Sequence, residues 1–239
     1  LLLNHPHVQI AGLFGSAKRE GAGPEAFSAS WPRFRGRLDL PVRPSSVDAI
    51  AELEPDAVFL CTPHEASLEL APALVQRGAA VLDLSAAFRL KDASAYPAFY
   101  GFTHTHPDLL ARAVYGLPEV FRREIATASL IAVPGCYPTS AILALRPLVR
   151  AGAFADPARR PIIDSVSGVS GAGRKAEQRL LFCEVSSQAY GVFKHRHQPE
   201  IDAFAMTPTV FTPHLGPFDR GILSTIHADL SPGWNAERA

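Results

Sequence analysis

With three cysteines in 239 residues, the chain has neither the number nor the pairing for a disulfide-stapled secreted module, and a reducing compartment is expected. It has no excess of charge either: 23 acidic and 23 basic residues cancel. That balance removes the compositional case for nucleic acid or an anionic membrane as the main partner, and leaves a small molecule as the expected substrate. No apolar stretch approaches the length of about 20 residues needed to span a bilayer, and no charged leader precedes a cleavage site, so the cytoplasm is the default expectation. Internal repeats and low-complexity linkers are missing as well. So is the glycine-rich first turn of a dinucleotide-binding fold. The chain opens as Leu1-Leu2-Leu3-Asn4-His5-Pro6, like the last turn of a helix without its beginning. A fragment is therefore expected, one that binds NADP poorly as it stands.

What is present is a globular composition, 47% hydrophobic and 19% charged, enough for one good core or two modest ones. Residues 7–15 alternate like a strand and 47–51 read as a short helix. A strand over 57–61, a helix over 67–77 closed by Gly78, and a strand over 80–84 follow. Strands alternating with helices predict a parallel α/β sheet. From residue 162 the texture changes to longer β-like runs at 209–211 and 221–230, with helical spacing over 175–184 and 200–206. That pattern predicts a second, α+β domain, with the boundary just after Cys136.

The stretch Ile131-Ala132-Val133-Pro134-Gly135-Cys136-Tyr137-Pro138-Thr139 places one thiol between a strand ending at 133 and a helix over 138–149, across a Pro-Gly turn. Backbone N–H groups and the dipole at a helix start favour the thiolate, so Cys136 is the candidate nucleophile. Cys61 and Cys183 read as inert packing residues.

Ligands of open parallel sheets sit at the carboxyl ends of the strands. Cys61-Thr62-Pro63-His64, Asp83-Leu84-Ser85 and Pro134-Gly135-Cys136 all fall at such ends. After the strand ending near Phe14 come Ser16, Lys18 and Arg19, basic where an NAD site carries an acid, which favours a 2′-phosphate and hence NADP(H). The loop Ser167-Gly168-Val169-Ser170-Gly171-Ala172-Gly173-Arg174 lets backbone amides approach a phosphate or amide, although glycine loops are more often plain turns. Lys194-His195-Arg196-His197-Gln198-Pro199-Glu200 gathers two imidazoles, a guanidinium and a carboxylate. If extended, His195 and His197 share a face, as general acid/base or as metal ligands, against a solvated basic segment that caps a helix. Arg89 and Arg220 are candidate anion forks.

Together these segments, with Asp83-Leu84-Ser85-Ala86-Ala87-Phe88-Arg89-Leu90, Tyr115-Gly116-Leu117-Pro118-Glu119, Phe211-Thr212-Pro213-His214 and Arg220-Gly221-Ile222-Leu223, resemble the N-acetyl-gamma-glutamyl-phosphate reductase family, in the superfamily of aspartate-semialdehyde dehydrogenase. The resemblance covers nearly the whole chain. It implies a partial Rossmann-type NADP-binding domain over 1–136 and an α+β catalytic and dimerisation domain over 137–239. It also implies reductive dephosphorylation of an acyl phosphate through a thioester on Cys136, in arginine biosynthesis, with His195 or His197 managing protons. Cofactor contacts fall on Ser16, Lys18, Arg19, Thr62, Pro63, Ser85 and the loop from Ser167 through Gly168, Ser170, Gly171 and Ala172 to Gly173. Arg89, holding the phosphate, and Arg196, Glu200 and Arg220 face the substrate. No resident metal is implied, and a homodimer or homotetramer is. Two positions depart from the family pattern: Val133 stands where Asn is usual, and Ala87 where Asp is usual.

Three rivals stay open on sequence. One is the related reductase of aminoadipyl phosphate in lysine biosynthesis. Another is a metal-dependent hydrolase using His195 and His197 with Glu200 or His214. The third is a non-catalytic remnant.

Overall fold

A computed structural model describes residues 2–16, 25–154, 156, 158–173 and 176–239. Its first half carries β1 (Leu13–Gly15), β2 (Glu25–Ala26), α1 (Phe27–Ser30), β3 (Pro41–Pro44), α2 (Val47–Ala51), β4 (Ala57–Leu60), α3 (His64–Gln76) and β5 (Ala80–Asp83). α4 (Ala95–Tyr100), α5 (Pro107–Arg112), β6 (Val114–Tyr115), α6 (Pro118–Ile125) and β7 (Leu130–Ala132) follow. The second half carries α7 (Cys136–Arg150), β8 (Ile162–Gly168), β9 (Gln188–Ala189), α8 (Gln198–Ala205), β10 (Val210–Gly216) and β11 (Ile222–His227).

The expected parallel sheet is present in the order β4-β5-β7-β6, with every pair parallel. β1 and β3 pair parallel in a separate small sheet with β2 antiparallel at its edge. The second half builds the mixed sheet β11-β8-β10-β9, in which β8 and β10 run parallel and the outer strands antiparallel.

Two apolar cores support these sheets. The first gathers Leu60, Leu74, Val81, Phe88, Tyr96, Leu110 and Leu130 between the parallel sheet and its helices. The second packs α7 and α8 on the mixed sheet through Tyr137, Ile142, Leu145, Ile163, Ile201 and Phe211. Tyr115 and Leu117 belong to this second core, so the chain enters it before residue 136. In α7 the buried positions Tyr137, Pro138, Ala141, Ile142 and Leu145 recur at the spacing of one helical face.

Four local expectations need correction. β1 is confined to residues 13–15 because only these find a partner, at Val42, Arg43 and Pro44. α3 and α7 start earlier than their apolar spacing indicates, at His64 and Cys136. The helix expected over 175–184 does not form: among the described residues there is one 3₁₀ turn at Gln178–Leu180, and Leu181 and Phe182 stand 51% and 61% exposed with no core to face. Cys61 and Cys183 are exposed rather than packed inside.

Candidate active site

The thiol of Cys136 opens α7 as its first helical residue and is exposed. Gly135 caps the helix in an extended conformation without any side-chain cap, so the first-turn amides remain available to a ligand or to the sulfur. Only glycine fits there, because a Cβ at Gly135 would lie 2.5 Å from Nε2 of His197. The Gly135 carbonyl accepts from the Thr139 amide at 3.0 Å and the Thr139 hydroxyl at 2.8 Å. Its amide donates to Oε1 of Glu200 at 2.8 Å.

Glu200 is completely buried as the third residue of α8, in its first turn. Its Oε1 also accepts from the Tyr115 hydroxyl at 2.8 Å, and Oε2 faces Nη1 of Arg89 at 3.4 Å. Burial pushes the carboxyl pKa up, opposed by Arg89, the Gly135 amide and the Tyr115 hydroxyl. Every one of these contacts uses the carboxylate as acceptor. Arg89, only 7% exposed, spends Nε on the Val133 carbonyl at 2.8 Å and Nη2 on the Leu84 carbonyl at 2.9 Å. The structure places Arg89 and Glu200 inside the protein, gripping the turn before Cys136. The departures from family pattern find their setting here. Val133 takes part through its backbone, its amide donating to Asp83 and its carbonyl accepting from Arg89. Ala87 is a fully buried core residue whose carbonyl is held by Nε2 of His104.

His195 and His197 do not lie on an extended strand; they occupy a turn leading into α8, yet their rings meet at a centroid distance of 4.8 Å. Tyr137 packs edge-on against both, 5.7 Å from His195 and 5.9 Å from His197. Burial lowers the His195 pKa to about 4 and that of His197 to about 2, with Arg196 adding to both shifts. Nδ1 of His195 accepts from the His197 amide at 3.2 Å, which leaves its proton on Nε2 in the neutral ring. Nδ1 of His197 is buried without a hydrogen-bond partner.

Three tyrosines complete the cluster, none of them found from sequence. Tyr115 holds Glu200. The Tyr137 hydroxyl lies 3.0 Å from that of Tyr190 and donates to the His214 carbonyl at 3.2 Å. Tyr190 in turn packs edge-on to His195 at 5.5 Å. The one available signal was adjacency, since Tyr137 follows Cys136 directly.

The carboxyl edge of the parallel sheet gathers Thr62 and Pro63 after β4, Ser85 after β5 and Cys136 after β7. Both long helices starting at this edge, α3 and α7, lack side-chain caps, whereas α2 is capped by the Ser46 hydroxyl. Uncapped starts of this kind fit the phosphates of a dinucleotide. Ser85 is bound into a network around the buried carboxylate of Asp83, which accepts from the hydroxyls of Ser67 and Ser85 at 2.9 Å each. Thr62 joins that network through Ser67 at 2.9 Å. Ser16 follows β1, and Lys18 and Arg19 lie outside the described residues.

The loop from Ser167 to Gly173 leaves β8 beside this cluster, with Ser167 facing the Tyr137 hydroxyl. Gly168 is pressed against the Asp219–Arg220 backbone, where a Cβ would come within 2.6 Å of the Asp219 carbonyl oxygen. Ser170 donates to that same carbonyl at 2.6 Å, while Gly171, Ala172 and Gly173 are exposed. Arg220 is exposed and pairs with Asp219 at 3.3 Å. Arg196 is also exposed, and among the described residues no carboxylate pairs with it. A three-ligand metal site fails on geometry: Glu200 is turned into the Arg89 clasp, and no group of three His, Cys, Asp or Glu side chains converges among the described residues.

Two family models match the chain: the NAD binding domain of semialdehyde dehydrogenase over residues 1–128, and the dimerisation domain of semialdehyde dehydrogenase over 136–239. An N-acetyl-gamma-glutamyl-phosphate reductase of Yersinia pseudotuberculosis is 53% identical over 236 residues, 99% of this chain and 70% of that protein. One of Escherichia coli K12 is 51% identical over 231 residues, 96% of this chain and 68% of that protein. Among solved structures, aspartate semialdehyde dehydrogenase with NADP from Candida albicans aligns with a TM-score of 0.65 at 13% identity, over 99% of this chain and 69% of that one. Aspartate semialdehyde dehydrogenase II from Vibrio cholerae aligns at 0.58 and 18% identity, over 83% and 62%.

Proposed function

Since the chain belongs to the semialdehyde dehydrogenase family, on its N-acetyl-gamma-glutamyl-phosphate reductase branch, we propose that it reduces N-acetyl-L-glutamyl 5-phosphate to N-acetyl-L-glutamate 5-semialdehyde with NADPH, releasing phosphate, in arginine biosynthesis. The observation that carries this reading is the exposed thiol of Cys136 at the uncapped start of α7, beside two uncharged imidazoles. The relatives named above favour the N-acetylglutamyl substrate over the aminoadipyl one.

Cys136 attacks the acyl carbon; the bond from that carbon to the phosphate oxygen breaks, phosphate departs, and a thioester remains on the sulfur. The amides at the uncapped start of α7 would stabilise the developing oxyanion. NADPH, when bound, supplies the hydride that reduces the thioester. Thr62, Pro63, Ser85 and the exposed part of the Ser167–Gly173 loop would hold it, together with the uncapped start of α3. His195 is proposed as the partner of the reacting oxygen: it is half-buried, its Nδ1 accepts from the His197 amide, and the neutral ring would donate a hydrogen bond from Nε2–H to the oxyanion, which collapses to the aldehyde as the C–S bond breaks and Cys136 leaves as the thiolate. His197 backs Gly135. Arg89 would hold the phosphate, with the exposed Arg196 and Arg220 as further cations on the substrate side.

The cofactor half is assigned to residues 1–136 and the catalytic and self-association half to 137–239, as a homodimer or homotetramer. No helix among the described residues is long and apolar enough to cross a membrane, and a cytoplasmic enzyme is the reading adopted.

The test is phosphate-dependent reduction of NADP by the semialdehyde. In a version extended to the length of its relatives, Cys136→Ser is expected to abolish turnover while cofactor affinity matches that of the extended parent; a serine variant that still turns over would overturn the covalent route.

A further inference from the structure

We propose that Asp83 is a positioning residue for the cofactor: its carboxylate takes up the hydroxyl protons around it, so that Thr62 and Ser85 meet the ligand as acceptors only and receive the hydroxyl groups of the nicotinamide ribose. Asp83 ends β5 and is completely buried. Its backbone lies where three strand ends meet. The Asp83 carbonyl accepts from the Val133 amide after β7 at 2.8 Å, and the next amide, that of Leu84, donates to Leu60 at the end of β4 at 2.9 Å.

The direction of each hydrogen bond follows from counting protons, since a hydroxyl has one to give. Ser85 gives its proton to Oδ2 of Asp83 at 2.9 Å and accepts from the Ala87 amide at 3.1 Å. Ser67 gives its proton to Oδ1 at 2.9 Å, so the 2.9 Å contact between Ser67 and Thr62 is made with the Thr62 proton. Oδ1 also takes the Ser85 amide at 2.9 Å. Thr62 and Ser85, each two residues past its strand and each half-buried, are left with lone pairs and no proton to offer. A phosphate, itself an acceptor, finds no partner in either hydroxyl; a ribose hydroxyl, which donates, finds two. The same charge reaches the neighbouring thiol of Cys61, whose pKa is raised by burial first and then by Asp83.

Position selects which ribose. In the order β4-β5-β7 the two acceptors follow the first two strands and Cys136 follows the third, and neighbouring strands lie about 4.8 Å apart. The nicotinamide has to reach the thioester on that sulfur, which puts its ribose one strand back.

This assignment rests on NADPH binding along the sheet edge, so the test reads cofactor binding by calorimetry, in a version extended to the length of its relatives. Asp83→Asn keeps the shape and turns one acceptor into a donor, which frees a hydroxyl proton to face the ligand. It is expected to weaken NADPH about tenfold, the worth of one or two neutral hydrogen bonds. In the phosphate-dependent assay it should raise the KM for NADP with kcat within about twofold. Two fragments of the cofactor locate the effect. Phosphoadenosine diphosphoribose, which keeps the second ribose and lacks the nicotinamide, should weaken about as much as NADPH. Adenosine 2′,5′-bisphosphate, which lacks both, should bind within about twofold of its affinity for the extended parent. Equal loss for all three ligands would overturn the assignment in favour of a general collapse of the edge. Unchanged NADPH affinity would overturn it outright, and a loss confined to NADPH would move the donor to the carboxamide and overturn the ribose. Ser67→Ala, which cuts Thr62 off from the carboxylate, should weaken NADPH about threefold; if Asp83→Asn does not fold, unchanged affinity in Ser67→Ala overturns the assignment by itself. An extended parent that binds no NADPH would instead refute the cofactor reading, before any variant is compared.

Discussion

His195 and His197 are held neutral well below the pH at which a free imidazole titrates, and this governs how the site responds to acid. Where His195 sets it, the acidic limb of the rate profile is expected near pH 4 instead of 6.5, readable from kcat/KM across that range. His195→Gln should lower kcat by about 10²- to 10³-fold, the usual worth of one donor to the oxyanion. Gly135→Ala makes a different kind of change, driving a methyl into a ring that cannot retreat. It should destabilise the fold by about 1–3 kcal/mol and remove most activity, both measurable by thermal unfolding and steady-state rates. At this scale the sequence disclosed chemistry and concealed partners. Cys136 was legible from its turn and helix start, because both are local. The partner of Arg89 was not, because Glu200 lies 111 residues further along the chain.

Among the elements, α7 carries the site and also the centre of the second core. Leu145, two turns beyond the thiol, is buried among Ile142, Ile163 and Phe211. Leu145→Ala should cost about 2–5 kcal/mol in chemical denaturation while leaving Cys136 alkylation nearly unaltered, since the first turn is anchored by Glu200 and Thr139. α7 was readable because its apolar spacing coincides with a real face. The segment over 175–184 has comparable spacing around Leu180, Leu181 and Cys183, but no surface opposes it, and local periodicity has nothing to bury. The early starts of α3 and α7 have local reasons: α3 opens on the polar pair His64-Glu65, and α7 carries a proline, the usual opening residue of a helix, as its third residue.

In the molecule as a whole, two cores meet along a polar seam built from Arg89, Tyr115, Glu200 and the two histidines. The histidines make the folded state pH-sensitive. Their folded pKa values lie below the ordinary 6.5, so in the window from 6.5 down to about 4 the unfolded chain binds more protons, and stability falls as pH falls through it. Each contributes a slope of up to about 1.4 kcal/mol per pH unit. The midpoint of thermal unfolding should drop between pH 7 and 5, and His195→Gln should flatten that dependence. The α/β order of the first half and the change of texture near residue 162 were visible in the sequence. The division of the parallel strands between two sheets was not, because strand pairing is a long-range choice.

The span of the Arg89 to Glu200 contact has a bearing on biosynthesis. A polypeptide growing from its amino end completes the turn at Gly135 about sixty residues before the carboxylate that steadies it has been made. The Gly135 amide therefore gains its acceptor only once α8 has been made and docked.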